Sequence, residues 1–348
     1  MGNKELSSLI AKMNKKFGDN ALVMGDTIEE TALERIPTGS VRLDIDLGGG
    51  IPVGRFTQIS GALSSTKTTQ CMHIVKNAQK MGLVCAWADV EGTSDKNYFK
   101  QIGVDTETLL YTRPSGLEEV TQMILDMQQS GEVHLVVWDS IEASSPIKEL
   151  DSTMDETFQM GIKPKLLGEF FRKYQAFNNK LVREGKRPFT LIGINQLREK
   201  IGAYGDAEYT PGGRSIGFTT SVDIRLRKGD WITEGTASNK AFVGQIVKYK
   251  IEKNKTYTRM QTGEFDFYYD ENNAKIPVGS NDNFKSIVQL GIERDLIQRG
   301  GAWFFLNKGT DQEVKFQGQE NLIAYLRENP QLVDDIKEII LDIDSKTI

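Results

Sequence analysis

An apolar run ending in Ile59-Ser60 leads into Gly61-Ala62-Leu63-Ser64-Ser65-Thr66-Lys67-Thr68-Thr69, and an amphipathic stretch follows at once. A strand that passes through small and hydroxyl residues straight into a helix is the context of a phosphate-binding loop. Successive backbone N–H groups wrap an anion there, and the helix N-terminus adds partial positive charge. In this reading the ligand is ATP. Lys67 reaches its β and γ phosphates, and the Thr68 hydroxyl ligates Mg²⁺. The pattern G-x-x-x-x-G-K-[ST] places glycine where this chain has Thr66. A β-branched residue restricts the backbone just where the motif wants freedom. On the loop alone, a Ser/Thr-rich turn capping a helix is a competing reading.

The wider pattern supports the nucleotide reading. Residues 35–270 alternate apolar runs with amphipathic stretches, the signature of an α/β core with a mainly parallel sheet flanked by helices. Candidate strands are 56–60, 83–89, 133–139, 189–195 and 221–226. Ser115 and Glu118 have capping-box spacing, and Leu117, Val120, Ile124 and Met127 mark the buried stripe of the helix they open. Leu6, Leu9, Ile10, Met13 and Phe17 recur at helical spacing in a leading segment that Gly18 ends. Residues 1–34 thus read as an N-terminal helix and arm. The polar, Gly/Pro-bearing text around 271–283 reads as a linker. Residues 271–348 read as a small α+β domain with a strand or hairpin near 302–316.

The stretch Leu135-Val136-Val137-Trp138-Asp139 ends an apolar strand in a carboxylate, which would stand beside the Mg²⁺ shell and touch it through water. Asp89 and Glu91 close the strand between it and the loop. A carboxylate at the C-terminal end of a parallel strand faces the ligand crevice, where it orients or deprotonates water. A solvated loop carboxylate is the equal alternative for either acid.

Composition sets limits. No apolar run approaches the roughly 20 residues of a membrane helix, and the Lys- and Glu-bearing N-terminus is not a signal peptide. Cys71 and Cys85 lack metal or disulfide spacing, so they read as reduced thiols of a cytoplasmic protein. A formal charge of −5 argues against wrapping in nucleic acid by bulk charge but does not exclude DNA binding, since locally basic loops can neutralise phosphates.

These pieces, in this order, resemble the RecA recombinase family over nearly the whole chain. The most specific stretches are Ser40–Gly54, Ile194-Asn195-Gln196-Leu197-Arg198-Glu199-Lys200-Ile201-Gly202, Pro211-Gly212-Gly213, Lys253-Asn254-Lys255 and Gly300-Gly301-Ala302-Trp303. The resemblance implies that Glu91 activates water and that Gln196 senses the γ phosphate and links it to a DNA loop. It implies that Lys253 and Lys255 reach a neighbouring subunit's ATP, as an arginine finger does. It places Asp95 and Tyr98 on the adenine, with Tyr269 a second aromatic near the base. It implies two DNA loops, at 151–165 and 197–214. Met160, Gly161, Lys165 and Arg172 belong to the first. Arg198, Lys200, Gly212, Gly213 and Arg214 belong to the second, with Ile201 as a wedge between bases. A weaker DNA track would use Arg227, Lys228, Lys248 and Lys250. The leading helix matches an arm that docks on the adjacent subunit, giving an open head-to-tail filament. The implied partners are single-stranded DNA, homologous duplex, further copies of the chain, and a single-strand-binding protein or loader.

Thr66 and Leu63 depart from the family's loop, residues 151–158 rewrite the first DNA loop, and the tail lacks a strongly acidic run. Retained global pattern with local drift suggests a divergent, bacteriophage-encoded member. The expected function is ATP-dependent pairing and strand exchange. The alternative is a nucleotide-gated DNA-binding filament protein with weak or no hydrolysis. A ring-forming ATPase on the same core would leave the second-loop signature unexplained.

Overall fold

A computed structural model describes residues 3–18, 20–25, 33–153, 161–199, 208–235, 239–258, 261–269 and 276–347. Helix α1 (Asn3–Phe17) leads, and Gly18 ends it in the left-handed region at φ 98°. A short antiparallel pair, β1 (Arg35–Ile36) with β2 (Ile51–Pro52), brackets α2 (Val41–Leu47). The main sheet then begins with β3 (Phe56–Gly61), which feeds α3 (Lys67–Lys80). After it come β4 (Cys85–Asp89), α4 (Lys96–Ile102), β5 (Leu110–Thr112), α5 (Leu117–Ser130) and β6 (Leu135–Asp139). The single turn α6 (Ile147–Leu150) and the long α7 (Ile162–Arg183) precede β7 (Thr190–Gln196).

A two-stranded ribbon, β8 (Arg198–Glu199) against β9 (Glu208–Tyr209), leads to α8 (Arg214–Thr219). The sheet is completed by β10 (Val222–Glu234), β11 (Ala241–Asn254), β12 (Thr262–Tyr268) and β13 (Ser280–Asn281). Its order is β13-β12-β11-β10-β3-β7-β6-β4-β5. From β10 to β5 every pairing is parallel; from β10 to β13 every pairing is antiparallel.

Helices cover both faces, which is why β4 and β6 are apolar at nearly every position. On one side Cys71, Ile74 and Val75 of α3 pack on Val222, Ile224, Val247 and Phe267. On the other, Ile124 of α5 and Phe170 and Phe171 of α7 pack on Phe56, Val136 and Trp138. The C-terminal part contains α9 (Asn283–Glu293), β14 (Ile297–Gly300), β15 (Trp303–Leu306), β16 (Val314–Gln317), α10 (Gln319–Glu328) and α11 (Pro330–Thr347). Its core, built on Ile287, Leu290, Leu322 and Ile340, also takes in Val41 and Ile45 of α2.

The five expected strands appear within one or two residues of their expected starts. Several expectations change. The antiparallel half of the sheet, with β11 and β12, was not among the candidate strands. The end of the proposed linker forms the edge strand β13, where Asn281 is buried and bonded to Gln70; its stretch 271–275 lies outside the described residues. The hairpin near 302–316 is a three-stranded antiparallel sheet. The capping box is one residue out of phase. Helix α5 starts at Leu117 with Gly116 as its N-cap. Ser115 therefore donates through its amide (2.7 Å) and its hydroxyl to Glu119, while Glu118 accepts the Ile147 amide. No described helix is long and apolar enough to cross a membrane, and both cysteines are buried and unpaired.

Candidate nucleotide and DNA site

The end of β3 is where the loop must turn sharply. At Gly61 an added Cβ would collide with the Leu226 carbonyl and the Ser65 hydroxyl, so only glycine fits. Ser65 is buried, and its Oγ donates to the Ala62 carbonyl at 2.8 Å. Lys67 Nζ donates to the same carbonyl, also at 2.8 Å. Burial holds this ammonium below its ordinary pKa, with Asp139 and Glu91 pulling it back up. Thr66 adopts the left-handed conformation that the motif's glycine would supply, at φ 66° and ψ 13°, and Ser64 also has positive φ (58°). The buried Thr66 Oγ1 has no hydrogen-bond partner. Leu63 stands out into solvent, 80% exposed.

Thr68 and Asp139 meet as their spacing suggested: Thr68 Oγ1 donates to Asp139 Oδ2 at 3.2 Å. Burial, then Glu91 and Asp89, pushes the Asp139 carboxyl up to about 7 against the opposing pull of Thr68 and Lys67. An oxygen-only pair beside a phosphate loop suits a hard divalent cation such as Mg²⁺. The two loop acids separate in role. Asp89 accepts from the Tyr111 hydroxyl (2.6 Å) and the Gly92 and Ser94 amides (2.8 and 3.0 Å), so it organises the turn after β4. Glu91 is exposed, and its Oε1 accepts from Ser140 Oγ (2.6 Å) and Gln196 Nε2 (3.1 Å). Gln196 is the last residue of β7, so Glu91 is tied directly to the start of the second loop. The peptide bond between Asp139 and Ser140 is cis.

Among the residues expected near the base, Thr69 Oγ1 lies 2.9 Å from the Tyr98 hydroxyl. Asp95 is the N-cap of α4, accepting from the Asn97 amide at 2.6 Å. The Tyr269 hydroxyl donates to the Gly244 carbonyl at 3.4 Å, and neighbouring Gln245 donates to the Ser64 carbonyl at 3.1 Å. Neither Gln245 nor Ser140 was picked out from sequence, and nothing in their local spacing marks them.

Lys253 and Lys255 are elsewhere. Lys253 pairs with Asp223 of β10, which pairs with Gln58 near the start of β3, whereas the phosphate loop leaves its far end. Their ammonium groups bond the Gly217 (2.5 Å) and Phe218 (3.1 Å) carbonyls of α8, beside the exposed Phe218 ring. Burial and the adjacent Lys255 hold Lys253 below its ordinary pKa.

The two segments expected to contact DNA share a base. Gly213, at φ 83°, packs against Pro164 at the head of α7, and Asn195 donates to the Pro211 carbonyl at 3.0 Å. Lys165 and Arg172 are exposed two turns apart on α7, which Gly161 opens at φ 113°. Arg214 opens α8, and Gly212 lies at φ 111°. Arg198 pairs with Glu142, whose backbone carbonyl also accepts Lys163 Nζ at 2.7 Å. Glu142 thus clasps cations from both loops. Met160, Lys200 and Ile201 lie outside the described residues. On the weaker track, Arg227 faces Lys248 and Arg225 faces Lys250 across the β10–β11 pair. Like charges directly opposed need an anion between them, and Glu252 supplies one to Arg225 (3.4 Å) and Lys250 (3.0 Å). Lys228 instead sits over the Trp231 ring, 3.5 Å from its centre.

Residues 4–273 match the family model described as RecA N-terminal domain, and residues 285–343 that of the RecA C-terminal domain. Protein RecA of Nocardioides sp. is 34% identical over 343 residues, spanning 97% of this chain and 91% of that protein. Protein RecA of Roseiflexus castenholzii is 34% identical over 340 residues (97% and 90%), and that of Campylobacter lari likewise 34% over 340 (97% and 92%). None of these three supports the bacteriophage origin expected from divergence.

Proposed function

The chain belongs to the RecA family, and from that premise we propose that it is an ATP-dependent homologous recombinase that filaments on single-stranded DNA and exchanges strands. One observation carries the reading: Gln196 donates to Glu91 and heads the second loop, so one side chain joins the water-activating carboxylate to the DNA segment. ATP phosphates lie on the loop amides, with Lys67 turning to them from the Ala62 carbonyl. Thr68 and Asp139 would hold Mg²⁺, which would supply positive charge to offset that building on the transferred phosphoryl group. Glu91 holds and deprotonates the attacking water. Lys253 and Lys255, at the far end of β3 from their own loop, serve the ATP of a second copy. Single-stranded DNA runs over Gly161, Lys165, Arg172, Arg198 and the Gly212–Arg214 corner; homologous duplex is the second substrate. Joint-molecule formation from circular single strand and linear duplex tests this, and no product with any nucleotide would sink it.

One observation favours a second reading, a nucleotide-gated filament protein with little hydrolysis: Thr66 is β-branched, left-handed and carries a buried unpartnered hydroxyl. Single-turnover hydrolysis with saturating single-stranded DNA, set against Glu91→Gln, separates the two. The recombinase reading expects a rate that Glu91→Gln abolishes and that Thr66→Gly preserves or raises.

A further inference from the structure

Strand β10 pairs with β3 only as far as Leu226, opposite Gly61, and then runs on past the phosphate loop. The β10–β11 pairing shifts register between Lys228 and Trp231 and again between Ile232 and Thr233. Bulges of this kind re-aim side chains. Trp231 pairs with Gln245, and Gln245 with Phe267, so these three side chains stand on one face. Phe267 lies in the same apolar cluster as Cys71 and Ile74, so this is the face on which α3 packs. The Gln245 amide reaches the Ser64 carbonyl at 3.1 Å, fixing the face beside the loop.

Three rings gather there. Trp231 packs on Phe242 at 5.5 Å and 62°, and edge-on to Tyr269 at 6.0 Å and 81°; Tyr269 in turn touches Phe267 at 6.5 Å. Trp231 is 49% exposed, Phe242 56% and Tyr269 37%. Lys228 Nζ sits over the Trp231 ring, 3.5 Å from its centre, yet all three rings stay more than a third exposed beside an anion site, a surface suited to a flat, π-faced partner tethered to an anion. A nucleoside triphosphate is such a molecule.

We propose that Trp231 and Phe242 complete, with Tyr269, an aromatic wall against which the nucleobase lies when the phosphates fill the loop. Trp231, edge-on, holds the plane of Tyr269; Phe242 extends the wall towards the hairpin tip. Stacking reads ring area rather than hydrogen-bond pattern, so the wall contributes affinity without choosing among purines. The inference rests on the phosphate-loop reading, and its test keeps the two apart.

Trp87 and Trp138 are fully buried, so in a Trp303→Phe background Trp231 is the one solvent-facing tryptophan. Its emission is titrated with Mg²⁺-ATP and with Mg²⁺-tripolyphosphate, which has no base; calorimetry gives both affinities. Expected are an emission change with ATP alone, and ATP binding about tenfold weaker in Trp231→Ala. Trp231→Phe restores most of that loss, and tripolyphosphate binding is the same in all variants. ATP binding that leaves Trp231 emission and Trp231→Ala affinity unchanged overturns the wall. Equal weakening of ATP and tripolyphosphate overturns it too, since the tryptophan would then support the loop alone. If neither ligand binds the parent protein, the phosphate-loop reading fails and the wall falls with it.

Discussion

Thr66 shows how far a motif can drift while its backbone stays put. The loop keeps the left-handed turn that glycine would make, and a β-branched residue occupies it. Left-handed backbone costs a non-glycine residue roughly 1–2 kcal/mol, and an unpaired buried hydroxyl about 1–3 kcal/mol. Glycine's extra unfolded-state freedom offsets only about 0.5–1 kcal/mol. Thr66→Gly is therefore expected to stabilise the protein by about 1 kcal/mol or more in urea unfolding; a destabilised variant would show the loop rebuilt around threonine. Sequence identified the position but not its strain, because φ is set by how the strand and helix meet. Asp139 illustrates the same limit. Its place at a strand end was legible, whereas its raised pKa needs burial first, and then Glu91 and Asp89 brought beside it, both of which only folding supplies. The native state keeps a proton that the unfolded chain gives up above its ordinary 3.8, so this group lowers stability progressively from there to about 7, with the full penalty above. Asp139→Asn should then gain stability over wild type at pH 8 and little at pH 4 in denaturant titrations of the nucleotide-free protein. Equal gains at both would assign the effect to packing.

At the scale of elements, the buried strands read easily because both faces are covered and the runs are apolar. Strands β11 and β12 escaped because their lysines and glutamates face solvent; Val247, Tyr249 and Ile251 alternate with Lys248 and Lys250. Helix α1 was legible in full, from the stripe to its glycine stop. What packs on it was not: Leu6, Leu9 and Phe17 remain exposed on their own chain. An apolar stripe with no cover at home suits a docking arm. Leu9→Glu combined with Phe17→Glu should shift sedimentation from long assemblies to single copies while the thermal midpoint barely moves. Assemblies unchanged in the double variant would assign the contact to another surface.

For the whole molecule, the sheet separates the parts of the proposed ATP site. Lysines at one end of β3 and the phosphate loop at the other make a complete site only where two copies meet, an arrangement implied by the family resemblance and given its physical reason by the register of β3, β10 and β11. The clasp at Glu142 has a consequence of its own. Its carboxylate pairs with Arg198 and its backbone carbonyl holds Lys163, which on the proposed DNA reading would give the resting protein an internal rival to DNA. A single phosphate competes poorly with a carboxylate already in place. If the two loops bind DNA as proposed, a strand that offers two phosphates at once, one to each loop, would displace it, and the clasp would set a length threshold that short oligonucleotides fail. Glu142→Gln is expected to bind short single strands several-fold more tightly at low salt, with the advantage shrinking as salt screens the charges. Fluorescence anisotropy against oligonucleotide length would show the threshold disappear.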